Sequence, residues 1–310
     1  MRPTCPGPLL VRLAFVLGNL TATNDRNRKA LLPKVPILVE TLDAVHVRYL
    51  KDDGQRSDEE APGDILVKLV RLIANTAMHA NVGAVLGESP RLVCLLDVLD
   101  RATTSTNDEE LVLNVLSCIT NLSFYATEST SANVITRHRR RLAATLAPFL
   151  EDSNDEAVVE AARAFGNLTR FPDVLADMAK EEAIFSLLVS MLDHANRDVV
   201  IHVCGVLMNA ALDGRMRCRL HETQIQGNIV DARNVLVDLF RRAGLRDLPM
   251  SAIVCKVLFN LMLEDTEYAS TPPGQLLAAT LDELLDAIQD EEQEDEFQSV
   301  AKALLRALHR

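Results

Sequence analysis

The sequence predicts an all-α solenoid built from repeated helical units. Three observations carry the expectation. Hydrophobic residues make up 48% of the chain but aromatics only 4%, with no Trp, so the apolar mass is Leu, Val, Ala and Ile. With 12 Gly and 12 Pro in 310 residues, turn formers are too few for a β-sandwich. One apolar motif with a shared Asn recurs along the chain, and its apolar positions follow a helical period.

The motif copies are LVRLAFVLGNLT, LVKLVRLIANTA, LVLNVLSCITNLS, VVEAARAFGNLT, VIHVCGVLMNAA and AIVCKVLFNLM. Their shared residue is Asn19, Asn75, Asn121, Asn167, Asn209 and Asn260, at intervals of 56, 46, 46, 42 and 51. A helical repeat of about 40–47 residues is the armadillo or HEAT period. Positions 9, 6 and 2 before the Asn and 1 after it are apolar in every copy except at Thr76 and Ser251. At about 100° per residue they form one stripe, centred ~140° from the Asn. The Asn therefore points away from the main core stripe.

Shorter apolar helices are expected at 29–50, 82–100, 134–150, 174–192, 228–243 and 275–289. A short helical region before each long third helix favours armadillo over HEAT. Residues 1–28 form an incomplete first repeat, residues 29–272 the main array, and residues 273–310 a terminal cap. The acidic, Pro/Gly-containing stretch 51–64 reads as a loop that stretches the first interval. A second acidic segment, 282–296, borders a final helix at 296–309 that lacks the Asn and has a polar outer face. A solenoid should not open on a bare apolar face. Either further sequence precedes this one or a partner covers the first helix.

In an armadillo stack the third helices line a concave groove. Positions 7 and 4 before the Asn share its side of the helix, within about 60°. They read Arg12, Phe15 and Asn19; Lys68, Arg71 and Asn75; Asn114, Ser117 and Asn121; Glu160, Arg163 and Asn167; His202, Gly205 and Asn209; Ile253, Lys256 and Asn260. Five of these are basic, against one acidic, although the whole chain carries a net charge of −12. An Asn ladder can hold the backbone of an extended peptide, and interleaved Arg and Lys favour acidic partner segments. The same pattern also fits Asn residues that tie adjacent repeats, beside a solvated charged face. A variant has the chain's own 282–296 segment or 51–64 loop lying in the groove.

The negative charge argues against nucleic acid as a general partner. Cys5, Cys94, Cys118, Cys204, Cys218 and Cys255 are scattered without a CxxC, as in a reduced cytosolic protein. The apolar stretch 9–20 is interrupted by Arg12 and matches later copies of the motif, so it reads as a repeat helix and not a leader. Nothing is long and apolar enough to cross a membrane. No GxSxG, P-loop, HExxH or GxGxxG occurs, and neither catalysis nor a cofactor is expected. His202, Cys204, Cys218 and His221 are a weak zinc pattern, because 202 and 204 point to different sides of one helix. The run Arg137-His138-Arg139-Arg140-Arg141 reads as a solvated loop and helix start, with anion binding as the alternative. Asn19, Asn121 and Asn167 match the N-glycosylation pattern incidentally, since they are repeat residues on helices.

The segments AARAFGNLTRFPDV (161–174), HVCGVLMNAALD (202–213), AIVCKVLFNLM (252–262) and EFQSVAKALLRAL (296–308) resemble the C-terminal region of the armadillo-repeat-containing protein 2 family. LGNLTATND (17–25) and CITNLSFY (118–125) fit the same family. The resemblance implies a non-enzymatic adaptor or scaffold in assembly of motile cilia and flagella. By the same resemblance its partners are radial-spoke or intraflagellar-transport proteins, and its location is cytoplasm and cilium. A stably built-in axonemal component is the alternative, and a nuclear-transport or signalling armadillo protein a more distant one. Importin-type proteins carry Trp four residues before the Asn, where this chain has Phe15, Arg71, Ser117, Arg163, Gly205 and Lys256.

Overall fold

The computed structural model describes residues 6–51, 61–102, 108–263, 265, 267–288 and 296–309. These divide into two compact units, one ending at Phe171 and one beginning at Pro172.

The first unit holds α1 (Gly7–Ala22), α2 (Asp25–Ala30), α3 (Val35–Tyr49), α4 (Pro62–Ala77), α5 (Ala80–Gly87), α6 (Cys94–Ala102), α7 (Glu109–Phe124), α8 (Val134–Leu146) and α9 (Asp155–Leu168). A 3-10 turn, Ala147–Glu151, extends α8. The second unit holds α10 (Pro172–Met178), α11 (Glu182–Ser190), α12 (Arg197–Ala210), α13 (Gly214–His221), a hairpin of β1 (Thr223–Ile225) and β2 (Asn228–Val230), α14 (Ala232–Ala243), α15 (Leu248–Leu261), α16 (Pro272–Ala287) and α17 (Glu296–Leu308).

Each Asn motif is a third helix. α1 packs on α4, α4 on α7 and α7 on α9; in the second unit α12 packs on α15 and α15 on α17. α17 thus takes the place of a third helix without the Asn. Helix starts are set by short polar side chains that satisfy otherwise orphaned N–H groups. Asp108 accepts from the Leu111 N–H, Asn133 from Ile135, Asn154 from Glu156, Asp231 from Arg233 and Asp247 from Met250. Two third-helix ends, those of α1 and α12, are closed by an arginine from the next helix. Arg28 donates to the Thr21 and Ala22 carbonyls, and Arg217 to those of Ala211 and Leu212, where the helix dipole also favours a cation.

Packing is tight where short helices cross the long ones. A Cβ on Gly83 of α5 would sit 2.5 Å from both the Ala77 carbonyl and the Tyr125 ring, so only glycine fits. In α4 the predicted stripe is buried, and positions 10 and 3 before the Asn join it: Ile65, Leu69, Leu72 and Thr76 are no more than 2% exposed. At roughly 1.5–3 kcal/mol per buried aliphatic side chain, this stripe dominates the cohesion of the stack.

Several boundaries differ from those expected. Most of the intervening regions hold two helices, because Pro33, Pro90 and Asp213 begin new turns and break the longer runs. Residues 228–230, expected in a helix, form β2. Gln226 and Gly227 both take positive φ (49° and 82°), a tight turn that pairs Thr223 with Val230 and Ile225 with Asn228. Residues 62–64 are the first turn of α4 and not loop, while 52–60 lie outside the described residues. Residues 282–287 belong to α16, and 289–295 are likewise outside the described set.

The third-helix strip as a candidate binding surface

Four of the six repeat Asn residues span the joint between neighbouring copies. Asn75 Nδ2 donates to the Gly18 carbonyl (3.0 Å) and Asn121 Nδ2 to the Ala74 carbonyl (3.0 Å). Asn167 Nδ2 donates to the Thr120 carbonyl (3.3 Å) and to Ser123 Oγ (3.0 Å). In the second unit Asn260 Nδ2 donates to the Met208 carbonyl (2.9 Å). Each acceptor is the residue just before the preceding copy's Asn. The tie between repeats is therefore present. These Asn residues remain half-exposed, and their Oδ1 atoms have no partner among the described residues. Asn19 is exposed and bonds to nothing among them.

The basic residues of the strip divide into paired and unpaired. Lys68 Nζ lies 2.7 Å from Glu110 Oε1 at the start of α7. Arg163 Nη1 lies 2.9 Å from Glu160 Oε1, one turn earlier on α9, and the other Glu160 oxygen is buried without a partner among the described residues. Lys256 pairs with Glu296, the last residue of the acidic 282–296 segment and the first of α17. Arg12 is exposed and Arg71 half-buried, and neither has a carboxylate partner among the described residues. Asn114 donates to the Glu110 carbonyl within its own helix (2.7 Å). Phe15 is exposed, His202 is half-buried, and a Cβ at Gly205 would meet nothing within 4 Å. The uncompensated positive charge of the strip thus narrows to Arg12 and Arg71.

A row three residues after the Asn went unread in the sequence. Met78 and Phe124 in the first unit and Leu212 and Leu263 in the second are exposed apolar residues at this position. Arg170 occupies it after Asn167. Its Nη2 donates to the Ser123 and Phe124 carbonyls at 2.8 and 3.3 Å, and burial pulls its pKa below the ordinary guanidinium value. The signal was available: the position recurs with the Asn, just past the last apolar position of the stripe.

The other candidate sites resolve into structure. The basic run lies on α8, not in a loop. Arg141 holds Asp97 and Asp100 of α6, and Arg139 stacks 5.2 Å over Phe171. Cys204 is fully buried, which pushes its thiol up to about 12, while Cys218 is exposed. Among the described residues no group of three or more His, Cys, Asp or Glu is placed to hold a metal, and no helix is long and apolar enough to cross a membrane.

An engineered protein of known crystal structure superposes with a TM-score of 0.65 at 18% identity, over 97% of this chain and 68% of that one. A designed armadillo repeat protein in complex with the peptide (KR)4 gives 0.58 at 19% identity, over 82% of this chain and all of that one. The chain has the armadillo-repeat fold. Its sequence relatives include armadillo repeat-containing protein 2 of Mus musculus (34% identical over 92% of this chain), Homo sapiens (32% over 97%) and Bos taurus (31% over 92%). The chain spans about a third of the length of these relatives, 33–37% of each. No family model matches it. At under 20% identity the structural likeness shows the armadillo fold alone, so the strip must be judged on its own residues.

Proposed function

We propose that the chain is a non-catalytic protein-binding scaffold whose third-helix strip holds an extended segment of a partner protein. The observation that carries this reading is the row of half-exposed Asn75, Asn121 and Asn167, each with an Oδ1 acceptor unused by the fold. Regularly spaced acceptors suit the N–H groups of an extended backbone. Arg71 supplies a cation for an acidic side chain, and exposed Met78 and Phe124 supply apolar contacts beside it. The designed protein bound to (KR)4 is in complex with a basic peptide. Here Arg12 and Arg71 disfavour such a sequence and select acidic ones.

The biological setting we propose is assembly of motile cilia and flagella, as an adaptor for axonemal radial-spoke complexes and their intraflagellar transport. That part rests on the relationship to armadillo repeat-containing protein 2. Pull-down from flagellated cells with wild type, Arg71→Glu and Met78→Asp plus Phe124→Asp tests the surface. Recovery of the partner should fall in both variants, and undiminished recovery would move the contact off the strip. Salt extraction of flagella tests the role. An adaptor leaves with the soluble matrix, whereas retention on the microtubules marks a built-in axonemal component.

A further inference from the structure

In the second unit a cleft of about 420 Å³ lies between the starts of α12 and α15 and the end of α14. Buried Leu192, Val200 and Met250 line it on the core side. Exposed Arg197, Arg242 and Arg246 line it with two carboxylates, Asp193 and Asp247. The matching cleft of the first unit, about 240 Å³ between the starts of α7 and α9, has the opposite balance, Arg101 against Asp108, Glu109 and Asp152. A chain of net charge −12 thus gathers cations at one of the two.

Arg197 breaks a local rule. It is the first residue of α12, where the helix dipole disfavours a cation, and α7 and α9 carry Glu109 and Asp155 at that position. α15 has no acidic residue in its first turn, unlike α4, α7, α9 and α12. Arg197 is held by Asp247, the cap of α15, through Nη2 to Oδ1 at 2.7 Å and Nε to Oδ2, and Oδ1 also accepts the Met250 N–H. Arg242 and Arg246 are not held in this way. Arg242 Nη1 reaches Asp193 Oδ1 at 2.8 Å, but both side chains are exposed and water competes for the pair. The Arg246 guanidinium has no partner among the described residues. We infer that this cleft is a second protein-binding site, which takes a glutamate side chain from an acidic segment of a partner. Arg242 and Arg246 present planar forks to its carboxylate while Asp193 turns to water. The glutamate methylenes lie over Leu192, Val200 and Met250. Charge selects this occupant: the acidic remainder of the surface repels a long polyanion such as nucleic acid, whereas a short acidic run needs only the cleft. The inference does not depend on the third-helix strip.

Fluorescence anisotropy of labelled hexaglutamate with the 310-residue chain tests this. The strip is silenced first with Arg12→Glu plus Arg71→Glu, so that the cleft is read alone. In that background hexaglutamate should still bind saturably, and adding Arg242→Glu plus Arg246→Glu should weaken it by about tenfold or more. Arg215→Glu plus Arg219→Glu, an equal charge change at exposed positions elsewhere on the second unit, should move the affinity by less than about twofold. No saturable binding once the strip is silenced would overturn the inference. So would an affinity indifferent to Arg242 and Arg246, or one that falls equally with Arg215 and Arg219. Binding of a hexaphosphoserine peptide at the cleft without binding of hexaglutamate would replace the carboxylate by a phosphate and overturn the assignment of glutamate. Loss of strip binding alone bears on the other surface, since the cleft is measured without it.

Discussion

Replacing Asn121 by Ala measures what the tie between repeats contributes. Asn121 Nδ2 donates to the Ala74 carbonyl at 3.0 Å, in a part-buried position. In the last turn of α4 the Met78 N–H bonds the Asn75 carbonyl (3.3 Å) and not that of Ala74, which leaves the Ala74 carbonyl open to the Asn121 amide. Leaving a partly buried acceptor bare costs about 1–3 kcal/mol. Ala forms helix better than Asn by up to about 0.7 kcal/mol, which offsets part of the loss. A net destabilisation near ~1.5 kcal/mol lowers the melting temperature by about 3–6 °C for a unit of this size. Asn19→Ala is the internal control. Asn19 is exposed and ties to nothing among the described residues, so only the propensity gain remains and the midpoint stays level or rises slightly. Calorimetric or circular-dichroism melts of both variants should therefore move in different directions. A matching fall in both, or no fall for Asn121→Ala, would refute the assignment of the ladder as a tie.

Three further outcomes follow from buried or tightly paired groups. Arg233 bonds Asp231 and Asp265 and lies 4.2 Å over the Tyr268 ring; burial opposes its charge, but the two carboxylates hold its pKa above the ordinary value. Arg233→Ala strands those acids and should cost about 3–5 kcal/mol in denaturant titrations, and a loss below ~1 kcal/mol would mean the network is solvated. Cys218 is exposed, whereas burial raises the thiols of Cys94 and Cys118, to about 12 for Cys94; peptide mapping after alkylation in native buffer should find Cys218 modified first, and labelling of Cys118 at a similar rate would contradict the packing. His46 has its pKa lowered mainly by burial, against the pull of Asp97 and Asp43, and its Nε2 is buried without a partner among the described residues. Its neutral form favours the fold, so its contribution is complete above the unfolded value of about 6.5 and is lost as pH falls through the lower folded value. His46→Leu should lessen the drop in urea midpoint between pH 7.5 and 5, and an unchanged drop would exclude His46 as its source.

The third helices were legible because a fixed Asn and a 3.6-residue apolar rhythm recur together, and burial of that rhythm is what stacks the repeats. Their joints were legible only as an alternative, since the same amide suits a neighbouring carbonyl or a ligand; the 3.0 Å contacts to Gly18 and Ala74 establish the joint. The pairing of charges was partly readable. Glu160 and Arg163 stand three apart on one helix, the spacing at which side chains meet. Glu110 beside Lys68 and Glu296 beside Lys256 depend on how separate helices stack, which no local pattern reveals. The hairpin at 223–230 was hidden by its own composition. Its Ile and Val residues continue the apolar run, and Gln226 is an uncommon residue for a positive φ.

The ladder's double use has a consequence for binding. Asn75, Asn121 and Asn167 each belong to two repeats at once, donating across a joint and keeping an Oδ1 without a partner among the described residues. In a quasi-one-dimensional stack, stability is carried largely by terms between neighbours. A segment that bridges Asn75, Asn121 and Asn167 would therefore engage the residues that hold those joints. Its binding would raise the stability of the first unit by mass action, and a looser joint would weaken its grip. An Asn→Ala change acts on both quantities, whereas Arg71→Glu acts chiefly on binding, because Arg71 ties no joint among the described residues. Comparing the two changes separates the tie from the site. If the ladder were only a tie, Asn121→Ala would lower stability and leave the affinity of the folded protein intact. If it is also the site, affinity falls even at temperatures where the variant is fully folded.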